Sequence, residues 1–100
     1  MDGGPLEVIW SKKATRSFSD IIDYWYQRTG TMTYPRKIKD LVAVKELQLK
    51  HFPQSGKAWK DGGIRYVTVG NYWMFYQPTD SVIFILLFWD CRQDPDTLLL

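Results

Sequence analysis

The sequence contains one cysteine and one histidine, and this scarcity excludes several kinds of protein. Cys91 has no partner for an internal disulfide, and with His51 it cannot form a structural zinc set. No apolar run approaches the roughly 20 residues of a membrane span, and the N-terminus lacks a basic region followed by an apolar one. Glycine-rich phosphate loops and nucleophile elbows are also missing. These absences predict a soluble protein of a reducing compartment, the cytoplasm, with no metal and no cofactor.

What the sequence does contain is enough apolar material for one domain. A chain of 100 residues that is 45% hydrophobic and 16% aromatic can bury a packed core, so we expect a single domain over residues 1–100. Charge is uneven, because residues 11–65 hold twelve Lys and Arg against five Asp and Glu, whereas the remainder holds one Arg and six acids. A basic surface for a polyanion or an acidic partner is one interpretation, and a solvated helical surface is the simpler one.

The C-terminal third predicts a meander of three strands. Residues 82–89 form an unbroken apolar run, too short for an ordinary helix, which predicts a strand buried on both faces. The aromatic segment 72–77 precedes it across turn residues 78–81, and residues 64–69 alternate before the tight-turn pair Gly70 and Asn71. A β-prone run at residues 6–10 predicts one further strand near the N-terminus.

Two helices are predicted between the first strand and the meander. Ser11 suits an N-cap, apolar residues then recur at helical spacing, and Gly30 suits the left-handed position that ends a helix. A second helix is expected to begin near residues 33–35, where proline is accepted in a first turn. Its apolar stripe comprises Tyr34, Ile38, Leu41, Val42, Leu49 and Phe52.

Val44 and Leu47 form a second apolar strip on another side of this helix. Core under a neighbouring loop is the simpler interpretation, and half of a groove for a partner's helix is the alternative. The predicted fold is α+β with the order β-α-α-β-β-β, in which an antiparallel helical hairpin packs on a mostly antiparallel four-stranded sheet.

Two arginines are the main candidate functional residues. Arg92 leaves the buried strand between Asp90 and Asp94, and the end of a rigid element is a common place for a functional side chain. Arg65 opens the first strand of the meander. Because the outer strands of a meander run parallel, the two arginines need not lie at one end, though each could bind phosphate or carboxylate by itself.

Two further residues are weaker candidates. His51 could act as a general base, but its position near a helix C-terminus, where a positive charge is favourable, explains it structurally. Trp59 lies in a polar, basic and glycine-bearing stretch, where it is a candidate contact residue.

The order of these elements, with several local pieces, resembles toxins of the RelE/ParE superfamily from bacterial type II toxin–antitoxin systems. The matching pieces are VIWSKKA, IIDYWYQRTG, FPQSGK and the stretch from GIRYVTVGNYWMFYQ through FWDCRQDP. They cover nearly the whole chain, and their order and spacing carry the resemblance. The resemblance implies a growth-inhibiting toxin and a cognate antitoxin that covers it, and it leaves open an oligomer formed through the antitoxin.

The resemblance implies one of two activities. RelE-like relatives are ribosome-dependent mRNA endonucleases, which use basic residues on the meander and usually a Tyr or His near the C-terminus. In this chain Trp73 stands where that branch often carries Arg, Val67 replaces a second basic residue, and Leu98 lies about where the Tyr or His is expected. Arg65 and Arg92 remain as the catalytic candidates of a nuclease.

ParE-like relatives instead bind DNA gyrase, and the helix ending YWYQRTG looks more like that branch. Poisoning a protein target needs a complementary surface and no proton shuttle. We therefore predict a ParE-like toxin, with the mRNA endonuclease as the alternative and a non-toxic interaction module of the same fold as a second alternative. The predicted contacts to the target are Arg65, Trp73, Arg92 and Trp59, and those to the antitoxin are Val44 and Leu47.

Overall fold

Two helices cover one face of a five-stranded sheet in the computed structural model, which describes residues 6–60, 62–98 and 100. The strands are β1 (Glu7–Trp10), β2 (Lys57–Ala58), β3 (Arg65–Val69), β4 (Tyr72–Pro78) and β5 (Val82–Asp90). The helices are α1 (Lys12–Thr29) and α2 (Thr33–His51), and a 3₁₀ turn at Pro95–Thr97 follows β5. The sheet order is β1-β5-β4-β3-β2, with β1 parallel to β5 and all other neighbours antiparallel.

The α+β class, the helical hairpin and the meander are confirmed, but the predicted count of four strands is wrong by one. The additional strand, β2, has two residues and pairs with the start of β3. A pair of residues is too short to show the alternation by which a strand is predicted from sequence.

Local signals set the ends of α1 as predicted. The Ser11 hydroxyl accepts a hydrogen bond from the Ala14 N–H at 2.9 Å, which satisfies one of the free donors of the first turn. Gly30 adopts a φ of 72° and its N–H donates to the Tyr26 carbonyl at 2.8 Å. Glycine takes this left-handed conformation without the steric cost that a Cβ would bring.

The meander also turns where predicted, and its last strand is bulged. Gly70 and Asn71 form the two-residue turn between β3 and β4, and Gly70 has a φ of 60°. Phe75 lies opposite Leu87 and Tyr76 lies opposite Ile85, so Leu86 is an extra residue in β5. Such a bulge changes which side chains face the helices along the rest of a strand.

The main core lies between the helices and the sheet. Central members are Ile38, Val42, Leu49, Met74, Ile83, Ile85 and Phe88, all buried. β5 was predicted to be buried on both faces, and this is correct only in part, because Leu87 on the face away from the helices is buried whereas Phe84 is exposed. An aromatic cluster of Trp59, Tyr66, Trp73 and Phe75 covers part of that second face.

The predicted apolar stripe of α2 needs two corrections. Leu41 is partly exposed, since it precedes the buried Val42 by one position and neighbouring helical positions point about 100° apart. Phe52 follows the last helical residue and is exposed. The simpler interpretation of Val44 and Leu47 as core under a loop is also wrong, because their exposed fractions are 63% and 59%.

Candidate functional site

Arg92 is fixed at the exit of β5 by the carboxylate of Asp90. Its Nε donates to Asp90 Oδ1 at 3.0 Å, and its Nη2 donates to Asp90 Oδ2 at 2.6 Å. The Arg92 backbone N–H donates to Oδ1 as well, at 2.9 Å. A guanidinium that meets both oxygens of one carboxylate has a defined direction, because its planar fork matches the carboxylate geometry.

The pairing keeps both groups charged. Hydrogen bonding from Arg92 lowers the pKa of Asp90 below its ordinary value, against a smaller opposing effect of burial. The same hydrogen bond raises the pKa of Arg92. The Asp90 side chain is only 17% exposed whereas that of Arg92 is 58% exposed, so the pair presents its cationic member to solvent.

A cavity of about 430 Å³ opens beside this pair, between α1 and the end of β5. Its lining includes Asp20 and Tyr24 of α1 together with Tyr72, Asp90 and Arg92. The three charged groups of the described lining, two carboxylates and one guanidinium, sum to −1. The described cavity lining is therefore net acidic, although residues 11–65 as a whole are basic, and its one cation is the Arg92 guanidinium.

Aromatic side chains from α1, β4 and β5 pack together beside Arg92. The Arg92 guanidinium carbon lies 6.0 Å from the ring centroid of Trp25, within the range of a cation–π contact. Trp25 Nε1 donates to the Tyr72 hydroxyl at 2.6 Å, and Tyr72 stacks on Phe88 with ring centroids 5.3 Å apart. Burial raises the pKa of Tyr72 above the ordinary value of a phenol.

Arg65 has a different environment, because its guanidinium contacts the backbone of its own chain. Its Nη1 donates to the Gly56 carbonyl at 2.7 Å. The hydroxyl of Tyr76 accepts from the Gly56 N–H at 2.9 Å and donates to the Pro53 carbonyl at 2.8 Å. Arg65 and Tyr76 together hold the segment that joins α2 to β2, which is a structural role.

The four predicted target contacts do not form one site. Arg65 lies opposite Tyr76 and Asp90 lies opposite Tyr72, so the two are four positions of β4 apart, or about 13 Å along the strand. Trp59 and Trp73 do meet, with ring centroids 6.0 Å apart, but they lie in the aromatic cluster on the sheet face away from the helices. Neither tryptophan is fully exposed.

The hydrogen-bond contact of His51 lies within its own helix. It is exposed at the last position of α2, and its Nδ1 lies 3.1 Å from the Leu47 carbonyl of the same helix. A ring that contacts its own helix in this way fits the structural explanation of a residue near a helix C-terminus.

Val44 and Leu47, the predicted antitoxin contacts, are exposed on α2, and Leu47 lies near β1. A cavity of about 450 Å³ runs between the two elements and is lined by Val8, Leu47 and Lys50 among others. β1 is an edge strand of the sheet, and no other strand of the described residues pairs with its outer side. An apolar strip next to an open strand edge is a surface that another chain can cover.

Most of the groups that support Arg92 could not be predicted from sequence patterns. Asp90 stands two positions before Arg92, a spacing that suggests neutralisation but not a two-oxygen contact. Trp25 and Tyr72 come from α1 and β4, distant in sequence, and only the packing of α1 on β5 brings them to Arg92. The hydrogen bond from the Gly56 N–H to the Tyr76 hydroxyl could not be predicted from the sequence either.

Within the described residues, the chain has no helix long and apolar enough to cross a membrane and no group of three or more His, Cys, Asp or Glu able to hold a metal.

Comparisons with known proteins agree with this architecture. A chromosomal ParDE toxin–antitoxin system from P. aeruginosa contains a chain of similar fold, with a TM-score of 0.70 and 22% sequence identity over 85% of this chain and 95% of that one. A search of curated proteins found no match. The two-helix, mostly antiparallel fold is therefore shared with that solved chain.

The family assignment is more specific than the fold. The family model described as the ParE toxin of the type II toxin–antitoxin system parDE matches residues 8–95. That match spans both helices, every strand except the first residue of β1, and Arg92. The chain belongs to the ParE toxin family of type II toxin–antitoxin systems, and the predicted ParE-like branch is confirmed.

Proposed function

We propose that this toxin inhibits growth by binding DNA gyrase and that a cognate antitoxin neutralises it. The observation that carries the proposal is the ParE family match over residues 8–95. The similar structure from P. aeruginosa is titled a ParDE system, which supports an antitoxin as the natural partner of such a fold.

The environment of Arg92 favours a binding surface over nucleolysis. General acid–base catalysis works best with groups whose pKa lies near the working pH. Around Arg92, the pKa of Asp90 is lowered by its hydrogen bond and that of Tyr72 is raised by burial, so both move away from neutrality. The described lining of the cavity contains no histidine. A charged, rigid and partly aromatic surface suits recognition of a protein.

A supercoiling assay tests the proposed target. The purified chain is expected to inhibit supercoiling of relaxed plasmid by gyrase, and Arg92→Ala to weaken that inhibition by about tenfold or more, as losing a charged interface contact does. Arg36→Ala is the matched control, since Arg36 is an exposed arginine of α2 that does not line the cavity. It should inhibit like the unaltered chain.

Two results would contradict this function. Codon-specific cutting of mRNA in a translation extract, abolished by Arg92→Ala while the variant stays folded, would establish the nuclease. Expression without antitoxin that leaves bacterial growth unchanged would instead identify a non-toxic interaction module.

We also propose that the antitoxin covers the outer strip of α2. Val44 and Leu47 are large, apolar and more than half exposed, and Leu47 lines the cavity beside the edge strand β1. Exposed apolar groups of this kind are typical of protein interfaces.

Charged substitutions in the strip should separate toxicity from neutralisation. The double variant Val44→Asp, Leu47→Asp should stay toxic but bind the protein encoded beside it at least about 100-fold more weakly, because buried carboxylates without partners are costly. Tyr26→Asp, which alters an exposed aromatic residue of α1, is the control and should be neutralised normally. Full neutralisation of the double variant would place the antitoxin elsewhere.

A further inference from the structure

We infer that Asp90 is a positioning residue, which holds the Arg92 guanidinium in the direction needed to contact the target. The inference rests on the proposed function, because it assumes that Arg92 contacts gyrase. It assigns to Asp90 a task distinct from charge neutralisation, and the geometry of the pair carries it.

The contacts restrain Arg92 along the whole length of its side chain. Asp90 Oδ1 accepts from both the backbone N–H and Nε of Arg92, at 2.9 and 3.0 Å, while Oδ2 accepts from Nη2 at 2.6 Å. Three donor atoms of Arg92 bonded to one carboxylate fix the start and the end of the arginine together. The Trp25 ring, 6.0 Å from the guanidinium carbon, limits movement on another side.

The restraint leaves part of the guanidinium available. Arg92 has five N–H donors, and Asp90 takes one on Nε and one on Nη2. The Nη1 donors and the second Nη2 donor can therefore still contact an oxygen of the target. Because the Arg92 side chain remains 58% exposed, this free edge is accessible from solvent.

Fixing the direction before binding has a predictable effect on affinity. A long side chain that is immobile in the free protein loses less conformational freedom when it meets its target. Immobilising one such side chain changes a dissociation constant by a factor of about 2 to 12. If Asp90 only neutralised Arg92, it would compete with the target for the guanidinium and its removal would strengthen binding.

The chain provides a matched control two residues beyond Arg92. Asp94 stands at the same sequence distance from Arg92 as Asp90, but its Oδ1 accepts from the Asp96 N–H at 2.9 Å. Asp94→Asn and Asp90→Asn therefore make the same change of charge near Arg92, and only the second alters the carboxylate that holds it.

The first measurement needs no target. In the unaltered protein, NMR should find the Arg92 Nε–H protected from solvent exchange relative to that of the exposed Arg36. The protection should fall in Asp90→Asn, which removes the charge and the Oδ2 acceptor, and be retained in Asp94→Asn. Equal exchange of Arg92 Nε–H in the unaltered protein and in Asp90→Asn would overturn the inference.

The second measurement is a double-mutant cycle on binding to immobilised gyrase. Asp90→Asn should raise the dissociation constant about 2- to 12-fold when Arg92 is present and have no effect in the Arg92→Ala background. Tighter binding by Asp90→Asn, or an equal loss in both backgrounds, would overturn the positioning role. If the unaltered chain does not bind gyrase while Arg92 Nε–H is protected by Asp90, the proposed target is wrong and the positioning of Arg92 is supported.

Discussion

The two ends of the sheet use the same kind of side chain in opposite ways. At the start of β3, Arg65 donates to the Gly56 carbonyl, and Tyr76 bonds both Gly56 and Pro53. At the exit of β5, Arg92 is held by a carboxylate beside an open cavity of about 430 Å³. One arginine is bonded to the backbone of its own chain, and the other has donors left for a partner.

This difference separates folding from recognition. A loop clamped by buried hydrogen bonds cannot release its arginine without leaving polar groups unsatisfied, which is costly. The Asp90–Arg92 pair lies at the surface, where ion pairs contribute little to stability. Substitutions at the Arg65 end should therefore act on stability, and those at the Arg92 end on binding.

The largest stability effect is expected for Gly56→Ala. A Cβ at Gly56 would lie 2.5 Å from the Tyr76 hydroxyl and 2.7 Å from the Tyr66 carbonyl oxygen, so the loop or β3 must shift. Overpacking and a broken hydrogen bond together should lower the free energy of unfolding by about 3 kcal/mol, measured by urea denaturation.

The same change in a Tyr76→Phe background provides the control for Gly56→Ala. Tyr76→Phe removes the nearest atom but leaves the Tyr66 carbonyl in place. Gly56→Ala should therefore still lower the free energy of unfolding in this background, but by less than in the unaltered chain. An equal loss in both backgrounds would show that the Tyr76 hydroxyl does not restrict this position.

Tyr76→Phe alone should lower the free energy of unfolding by about 2 kcal/mol. It leaves the buried Gly56 N–H and the Pro53 carbonyl without their partner, and an unsatisfied group of this kind costs about 1 to 3 kcal/mol. Tyr66→Phe is the matched control within the aromatic cluster and should change stability by less than about 0.5 kcal/mol. Equal effects of the two variants would show that the hydrogen bonds of Tyr76 to Gly56 and Pro53 do not stabilise the fold.

Arg65→Ala and Arg92→Ala compare the two ends directly. Loss of the Arg65 hydrogen bond to Gly56 should destabilise the chain by about 1.5 kcal/mol, since hydrogen bonds from charged groups contribute about that much. Arg92→Ala should lower the thermal midpoint less than Arg65→Ala does, while it weakens gyrase inhibition. A destabilised Arg92→Ala with normal inhibition would reverse the assignment of the two ends.

Much of the fold could be predicted from the sequence because it depends on local signals. Ser11, Gly30 and the Gly70–Asn71 turn each act through their own backbone geometry, and all three lie where expected. Whether an arginine bonds its own chain or stays available to a partner depends instead on groups elsewhere in the chain, such as Gly56 for Arg65. Sequence patterns contain no record of such contacts.

The exposed strip of α2 illustrates a second limit. Val44 and Leu47 have the spacing of core residues, yet the sheet is already covered by the side of α2 that carries Ile38, Val42 and Leu49. Periodicity identifies apolar positions but does not tell how many of them the rest of the chain can reach. The residues left over are those for which a partner protein is the natural explanation.

The smallest expected effect is a pH dependence at the Arg92 end. Hydrogen bonding by Arg92 lowers the pKa of Asp90 in the folded chain. The contribution of the ionised Asp90 carboxylate to the free energy of unfolding is therefore fully present above the ordinary carboxyl pKa of about 3.9. That contribution is lost as the pH falls through the lower pKa of the folded state. The difference in unfolding free energy between the unaltered chain and Asp90→Asn should be constant from neutral pH to about pH 5 and shrink in more acid solution. A difference that persists below the folded-state pKa would mean that Asp90 stabilises the strand exit through its shape and not through its charge.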